Sequence, residues 1–208
     1  MAQFEGDQLA AWLRQRAGKL TASRMGDAMD FLKNGNPSKA RLDYMIELVA
    51  ERVGGGDSVQ HFVSDAMLWG LEQENDAKLT YQSETGAFIR KSTFFDHPRI
   101  DNFGATPDGE LDGMGLIEIK CPTTPKFVRW VMAGVVPDEH KPQMLAQLAC
   151  TGRKWCEFVA YDPRVRQRPL FVRRFEPTQG EIEAVEACAV KFLDEVDAMF
   201  YAFTTAAA

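Results

Sequence analysis

Residues 104–122 read GATPDGELDGMGLIEIKCP. The end of this stretch is an apolar run broken by Glu118 and Lys120. Side chains alternate across a strand, so Leu116, Glu118 and Lys120 share one face and Ile117 and Ile119 the other. The isoleucines can anchor in a core. The wetter face then offers an acid and a base about 7 Å apart. Upstream, Asp108 follows a proline, and the turn formers of GELDGMG fold the two segments into a hairpin or adjacent strands. That pairing brings Asp108 beside Glu118. Two neighbouring carboxylates repel unless one is protonated or a cation joins them. A hard divalent ion such as Mg²⁺ takes carboxylate and carbonyl oxygens and acidifies a bound water. A nearby lysine orients that water and stabilises developing charge. Asp, Glu-x-Lys and a metal are therefore parts for phosphodiester hydrolysis. Alone, the pattern equally describes a solvated hairpin with a surface Glu–Lys pair worth under about 1 kcal/mol.

Working outward, the pattern is helical first and strand-rich in the centre. Residues 5–17 place Leu9, Trp12 and Leu13 at helical spacing, and Thr21 or Ser23 can cap a short helix. A helix follows Pro37, with Leu42, Met45, Ile46 and Val49 on one face, and stops at the glycine run 54–56. Residues 64–83 predict a long helix, capped by Ser64 or Asp65, with Met67, Leu68, Leu71 and Leu79 as core. GAFIR, STFFD, FGAT and GLIEIK then read as strands. Helices over 123–134 and 138–151, two strands in KWCEFVAYD and RPLFVRRF, and a closing helix over 178–202 complete the order. The closing helix carries Ile182, Val185, Cys188 or Ala189, Phe192 and Val196 on one stripe. This order predicts an α/β or α+β sheet flanked by helices.

The 208 residues suit one domain, and the formal net charge of −6 argues against coating nucleic acid by bulk charge. Cys121, Cys150, Cys156 and Cys188 form no CxxC pair, so zinc and iron–sulfur spacings are missing and reduced thiols are expected. No apolar run reaches membrane-spanning length. Arg164, Arg166, Arg168, Arg173 and Arg174 form a basic run that fits a solvated strand face, phosphate contacts or salt bridges between subunits. His61, His97 and His140 lack ligand spacing and read as loop histidines.

Five ordered blocks carry a family resemblance: RAGKLTAS (16–23), WGLEQENDA (69–77), TPDGELDGMGLIEIKCP (106–122), PQMLAQLACTG (142–152) and FVAYDPR (158–164). With them the chain resembles the PD-(D/E)XK nucleases, and within them the phage lambda exonuclease type of viral recombinase, the alkaline exonucleases. The resemblance implies a restriction-endonuclease-like α/β core, a mixed sheet flanked by helices, in one nuclease domain over 1–208. Residues 1–56 would be a helical N-terminal part carrying a phosphate pocket, and 57–208 the catalytic core. It implies Mg²⁺-dependent 5′-to-3′ digestion of one strand of linear double-stranded DNA, with Mn²⁺ able to substitute. The product would be a 3′ single-stranded tail for recombination. It further implies a homotrimeric ring, a single-strand-annealing recombinase as partner, and work in the cytoplasm of a bacterial host as a phage or prophage product.

Residue by residue, the resemblance makes Asp108 and Glu118 metal-binding carboxylates, Ile119 a carbonyl ligand and Lys120 the catalytic lysine. Glu74 would join the site. Gln143 matches the family glutamine, with Gln147 on the same helix face as the alternative. Asp96 and Asp101 both fit an accessory acid. Arg16, Thr21 and Ser23 match a 5′-phosphate pocket, where Arg grips phosphate and hydroxyls add donors. Met67 matches a wedge at the DNA end. Two other readings remain open: an endonuclease of restriction or junction-resolving type, and a non-catalytic module that binds DNA ends or the annealing partner.

Overall fold

A computed structural model describes residues 13–54 and 65–206, without the side chains of Asp65, Ala66, Met67 and Leu71. Expectations for Leu9, Trp12, His61, Ser64 and the Met67 wedge lie outside these. Two sheets carry the architecture. The first joins β1 (Leu20–Thr21), β2 (Phe95–Asp96) and β3 (Phe103–Ala105) in the order β1-β3-β2, with β1 parallel and β2 antiparallel to β3. The second joins β4 (Gly109–Leu111), β5 (Gly115–Lys120), β6 (Trp155–Tyr161) and β7 (Leu170–Phe175) in chain order. Here β5 and β6 are parallel, and β4 and β7 close the edges antiparallel. The sequence pattern predicts a sheet flanked by helices, and the mixed pairing is what the family resemblance implies.

A parallel pair needs a crossover. Helices α4 (Thr124–Ala133) and α5 (Lys141–Thr151) provide it between β5 and β6, joined by a 3₁₀ turn at Asp138–His140. Helix α5 is the hub of the core. Its Ala146, Ala149 and Cys150 pack with Leu20, Phe103 and Phe192, whereas its Met144 and Leu148 pack with Leu116, Phe127 and Phe158. The reverse face of β5 and β6 forms a third cluster. Ile117, Ile119 and Val159 meet Ala77 and Tyr81 of α3 (Asp65–Thr85) there. Burying each isoleucine stabilises by about 1.5–3 kcal/mol. They anchor β5 as its alternation requires, but both faces of β5 are covered, so the Glu118 face is buried rather than wet.

Helix α1 (Met25–Ala28) is a single turn, and neither Thr21 nor Ser23 caps it or the preceding 3₁₀ turn at Ala22–Arg24 through its side chain. Helix α2 (Lys39–Gly54) starts where Ser38 Oγ accepts from the Arg41 N–H at 3.1 Å. Its inward face is rotated from expectation: Tyr44, Met45, Leu48 and Val49 are buried, but Leu42 and Ile46 are exposed. The cause is Arg41, which enters the core and pairs with Glu195 of α6 (Gln179–Thr205) at 2.6 Å. In α3, Leu68 and Leu79 face solvent while Ala77 and Tyr81 are buried. GAFIR pairs only through Arg90 to Glu110, and STFFD only through Phe95 and Asp96. The closing helix matches its predicted stripe. Val185, Ala189, Phe192 and Val196 are buried, and Thr178 forms a capping box with Glu181.

Candidate active site

The hairpin β4–β5 places the first carboxylate. Gly109 stands opposite Ile117, and extending that register by one residue sets Asp108 opposite Glu118. Asp108 Oδ2 accepts the Ile119 N–H at 2.6 Å. A Cβ on Gly109 would fall 2.3 Å from Ile89, so the backbone approaches closely just after the acid. Glu118 is 1% exposed. Its Oε1 stands 2.6 Å from Lys120 Nζ, an ion pair outside good hydrogen-bond geometry, so that oxygen is buried without a hydrogen-bond donor.

Helix α5 lies over this strand face with Gln143 and Gln147 four apart on one stripe, and His140 at its N-cap three residues before Gln143. Gln143 Oε1 accepts from Lys120 Nζ at 3.1 Å. Gln147 Nε2 donates to Glu118 Oε2 at 2.6 Å. Both glutamines therefore enter the site, one on the lysine and one on the acid. His140 stacks on Phe158 and meets Trp130 edge-on. Burial and the neighbouring Lys120 charge pull its imidazole down to about 4, so it is neutral at physiological pH. His140 is thus no surface-loop histidine.

Desolvation and the charges of Glu118 and Glu74 push the Asp108 carboxyl well above the usual range, against the opposing pull of Lys120 and the Ile119 N–H. Glu74, paired with Lys78 at 2.6 Å, is thereby part of the site's field. Burial alone would lower the Lys120 pKa, but Glu118 and Asp108 outweigh it and raise it. A lysine so held stays protonated, a donor rather than a proton acceptor.

Among the described residues no three His, Cys, Asp or Glu side chains converge as a ready-made metal cage. The donor set is two carboxylates with the Ile119 carbonyl, which suits an ion that keeps several waters and uses one or two carboxylates. The repulsion on Asp108 is what a cation would relieve, and Glu118 Oε1, beside Lys120 Nζ, has no well-formed hydrogen bond to compete with one. The residues therefore fit a divalent metal.

A second cluster lies upstream. Gly18 adopts φ +71°, and a Cβ there would strike Arg52 at 2.8 Å. Its N–H donates to Glu51 Oε2 at 2.7 Å, and its carbonyl accepts from Arg52 Nε at 2.9 Å. Tyr44 Oη accepts the Thr21 N–H at 3.1 Å. These clamps from α2 set the turn that gathers Arg16, Thr21 and Ser23. Arg16 donates to Ser23 Oγ at 3.3 Å and to Thr106 Oγ1 at 3.4 Å, and Thr21 Oγ1 lies 3.4 Å from Ser23 Oγ. Burial lowers the Arg16 pKa from its high ordinary value. Thr106 was legible only as part of the TPD block, yet it connects this cluster to Asp108 two residues on.

Residues 11–154 match the YqaJ-like viral recombinase domain, more than half of the chain. The alkaline exonuclease LHK-Exo of Laribacter hongkongensis matches at 37% identity with a TM-score of 0.85, covering 94% of this chain and 96% of that one. The chain belongs to the YqaJ-like viral recombinase family. The LHK-Exo complex with dAMP matches equally, at 37% identity and TM-score 0.85, covering 93% of this chain and 95% of that one. A phage-related exonuclease of Haemophilus somnus 129PT shares the fold at 14% identity and TM-score 0.61, covering 87% of this chain and 96% of that one. No curated protein matches by sequence. Membership in this exonuclease family gives the chain a nuclease role on a PD-(D/E)XK core.

The remaining candidates occupy other surroundings. Asp96 pairs with Lys19 at 2.6 Å, and Asp101 is exposed. In the arginine run, Arg164 binds Asp162 and the Pro122 carbonyl and lies over Trp69. Arg173 donates to the Gly134 carbonyl, and Arg174 covers Trp155 and pairs with Glu157. Arg164 braces the loop between β6 and β7, and Arg173 and Arg174 brace β7. His97 is buried, with Nδ1 accepting from Arg99 and Ile100 and Nε2 against Glu186 at 3.0 Å. All four cysteines are free. No helix among the described residues is long and apolar enough to cross a membrane.

Proposed function

We propose that this chain is a Mg²⁺-dependent 5′-to-3′ exodeoxyribonuclease that digests one strand of linear duplex DNA and leaves a 3′ single-stranded tail. The observation that carries this reading is the three-residue link Thr106–Pro107–Asp108. It ties the Arg16 cluster to the carboxylate and lysine cluster. An anion grip that close to a hydrolytic site acts at a strand end. The complex of the related LHK-Exo with dAMP, a single nucleotide, supports a pocket of that scale.

Asp108, Glu118 and the Ile119 carbonyl would hold the metal, Mg²⁺ or Mn²⁺. When bound, the metal supplies positive charge for the scissile phosphate and a more acidic water. The chain's own residues do the rest. Lys120, steadied by Glu118 and Gln143, orients the attacking water and stabilises charge building on the phosphate. Glu74 extends the acidic field that draws the cation. Arg16, Thr21, Ser23 and Thr106 grip the terminal 5′-phosphate.

The same reading makes residues 1–208 one nuclease domain in a homotrimeric ring. The ring would work beside an annealing recombinase in the cytoplasm of a bacterial host, as a phage or prophage product. Sedimentation at working concentration checks the ring. The decisive experiment is a time course on duplexes end-labelled on either strand, carrying 5′-phosphate or 5′-hydroxyl, with closed circular DNA alongside. Mg²⁺-dependent loss from 5′-phosphate ends is expected. Equal cutting of closed circles would instead favour an endonuclease, and tight binding without product a non-catalytic end binder.

A further inference from the structure

We propose that Gln147 is a positioning residue that sets which divalent cation the site accepts, by committing one oxygen of Glu118 to its own side-chain amide. The inference rests on the metal-dependent reading above and deepens it. Gln147 is 0% exposed and Glu118 1%. The 2.6 Å bond from Gln147 Nε2 engages Glu118 Oε2, leaving Oε1, which is buried beside Lys120 Nζ at 2.6 Å but outside good hydrogen-bond geometry, as the oxygen that can face a cation. A carboxylate so pinned presents a single oxygen. Mg²⁺ demands near-octahedral geometry with few carboxylates, whereas Ca²⁺ takes more oxygens and uses carboxylates bidentately. The amide therefore suits the site to the smaller ion and withholds a bidentate ligand from the larger.

A second observation points the same way. A carboxylate can only accept, so the amide must turn its NH₂ towards Glu118. That orientation leaves Gln147 Oε1 buried with no hydrogen-bond partner. An unsatisfied buried acceptor costs stability, and a leucine or methionine on this core-facing stripe would avoid it. A glutamine here runs against packing preference, as expected of a residue that serves the site. Gln143 contacts the lysine instead and leaves Glu118 untouched.

The test titrates full-length protein, free of DNA, with Mg²⁺ and separately with Ca²⁺ by calorimetry. It also follows Ca²⁺ inhibition of Mg²⁺-supported digestion. Gln147→Met keeps the volume and lacks the donor; Gln147→Asn keeps the amide but falls one methylene short. Partners of metal ligands typically contribute about 10- to 100-fold to affinity. Both variants should lose Mg²⁺ affinity in that range, with a smaller change for Ca²⁺, so the preference for Mg²⁺ shrinks and Ca²⁺ inhibits at lower concentration. Gln143→Met should slow turnover without moving the ratio. An unchanged ratio in folded Gln147→Met overturns the proposal; if that variant does not fold, Gln147→Asn decides on the same criterion. An equal shift in Gln143→Met also overturns it, since general loosening of α5 would then be the cause. Failure of the unmodified protein to bind either ion would instead remove the metal-dependent reading, and this proposal with it.

Discussion

Replacing Arg16 by alanine separates an end-recognising nuclease from one that merely cuts DNA. Among its contacts Arg16 makes long hydrogen bonds of 3.3 Å to Ser23 and 3.4 Å to Thr106. Both lie beyond the usual N–H···O range, so these two bonds compete weakly with an anion. The guanidinium is partly desolvated by its surroundings, so part of the cost of meeting an anion is met during folding. A hydrogen bond to a charged partner contributes about 1.5–3 kcal/mol, and about 1.4 kcal/mol corresponds to tenfold. Arg16→Ala should therefore lower kcat/KM on 5′-phosphorylated duplex by roughly 10- to 100-fold. On 5′-hydroxyl duplex the loss should be a small fraction of that, so the two substrates converge. The assay is initial-rate digestion of matched duplexes differing only in the terminal phosphate, with thermal melting to verify the fold. An equal loss on both substrates would refute the reasoning, because Arg16 would then be a general DNA contact or a brace for the turn at Gly18.

Lys120→Ala should reduce turnover by about 10²–10³, the range for removing one preorganised donor, while circular dichroism stays unchanged; retained turnover would remove Lys120 from the mechanism. The folded-state pKa of Asp108 is raised, so its contribution to stability is present below the ordinary carboxylate range and lost as pH rises through the folded value. Metal-free Asp108→Asn should therefore melt above the parent at neutral and alkaline pH, by about 2–4 °C for each kcal/mol relieved in a chain of this size. That gap should close on acidification while activity is abolished, and a gap that widens in acid would contradict the sign. At Gly115 a Cβ would fall 2.2 Å from the Trp155 ring, which is held by Arg174 and by a bond to the Gly113 carbonyl. Gly115→Ala should cost about 1–3 kcal/mol in denaturant unfolding, and a neutral result would mean the indole moves freely.

Alternation in LIEIK was enough to place Glu118 and Lys120 together and to send the two isoleucines to the core. The turn residues of GELDGMG were enough to set Asp108 across from Glu118. Helix faces were read less well, because hydrophobicity ranks Leu42 and Ile46 above Arg41. The structure buries Arg41 by giving its charge Glu195 and stacking its guanidinium on Phe192. No local pattern announces a partner so distant in sequence. The same limit left Gln143 and Gln147 as alternatives, since their separate partners, Lys120 and Glu118, appear only once α5 lies across β5, and it hid Thr106, whose hydroxyl matters only once Arg16 reaches it. The short strand Leu20–Thr21 was missed because two residues carry no periodicity, and of STFFD only Phe95–Asp96 pairs.

The span from Thr106 to Asp108 has a consequence for the unit of work. Two residues of backbone reach about 7 Å at most, and Pro107 between them is buried and fixed in φ. On the proposed function, the anchor for the strand end and the acid beside the cut are tied by a short spacer on the scale of a single nucleotide. Each hydrolysis would then leave a shorter strand whose end is chemically identical to the last. Such an enzyme would need no motor and no memory of direction: its heading would follow from which side of that segment the anchor lies.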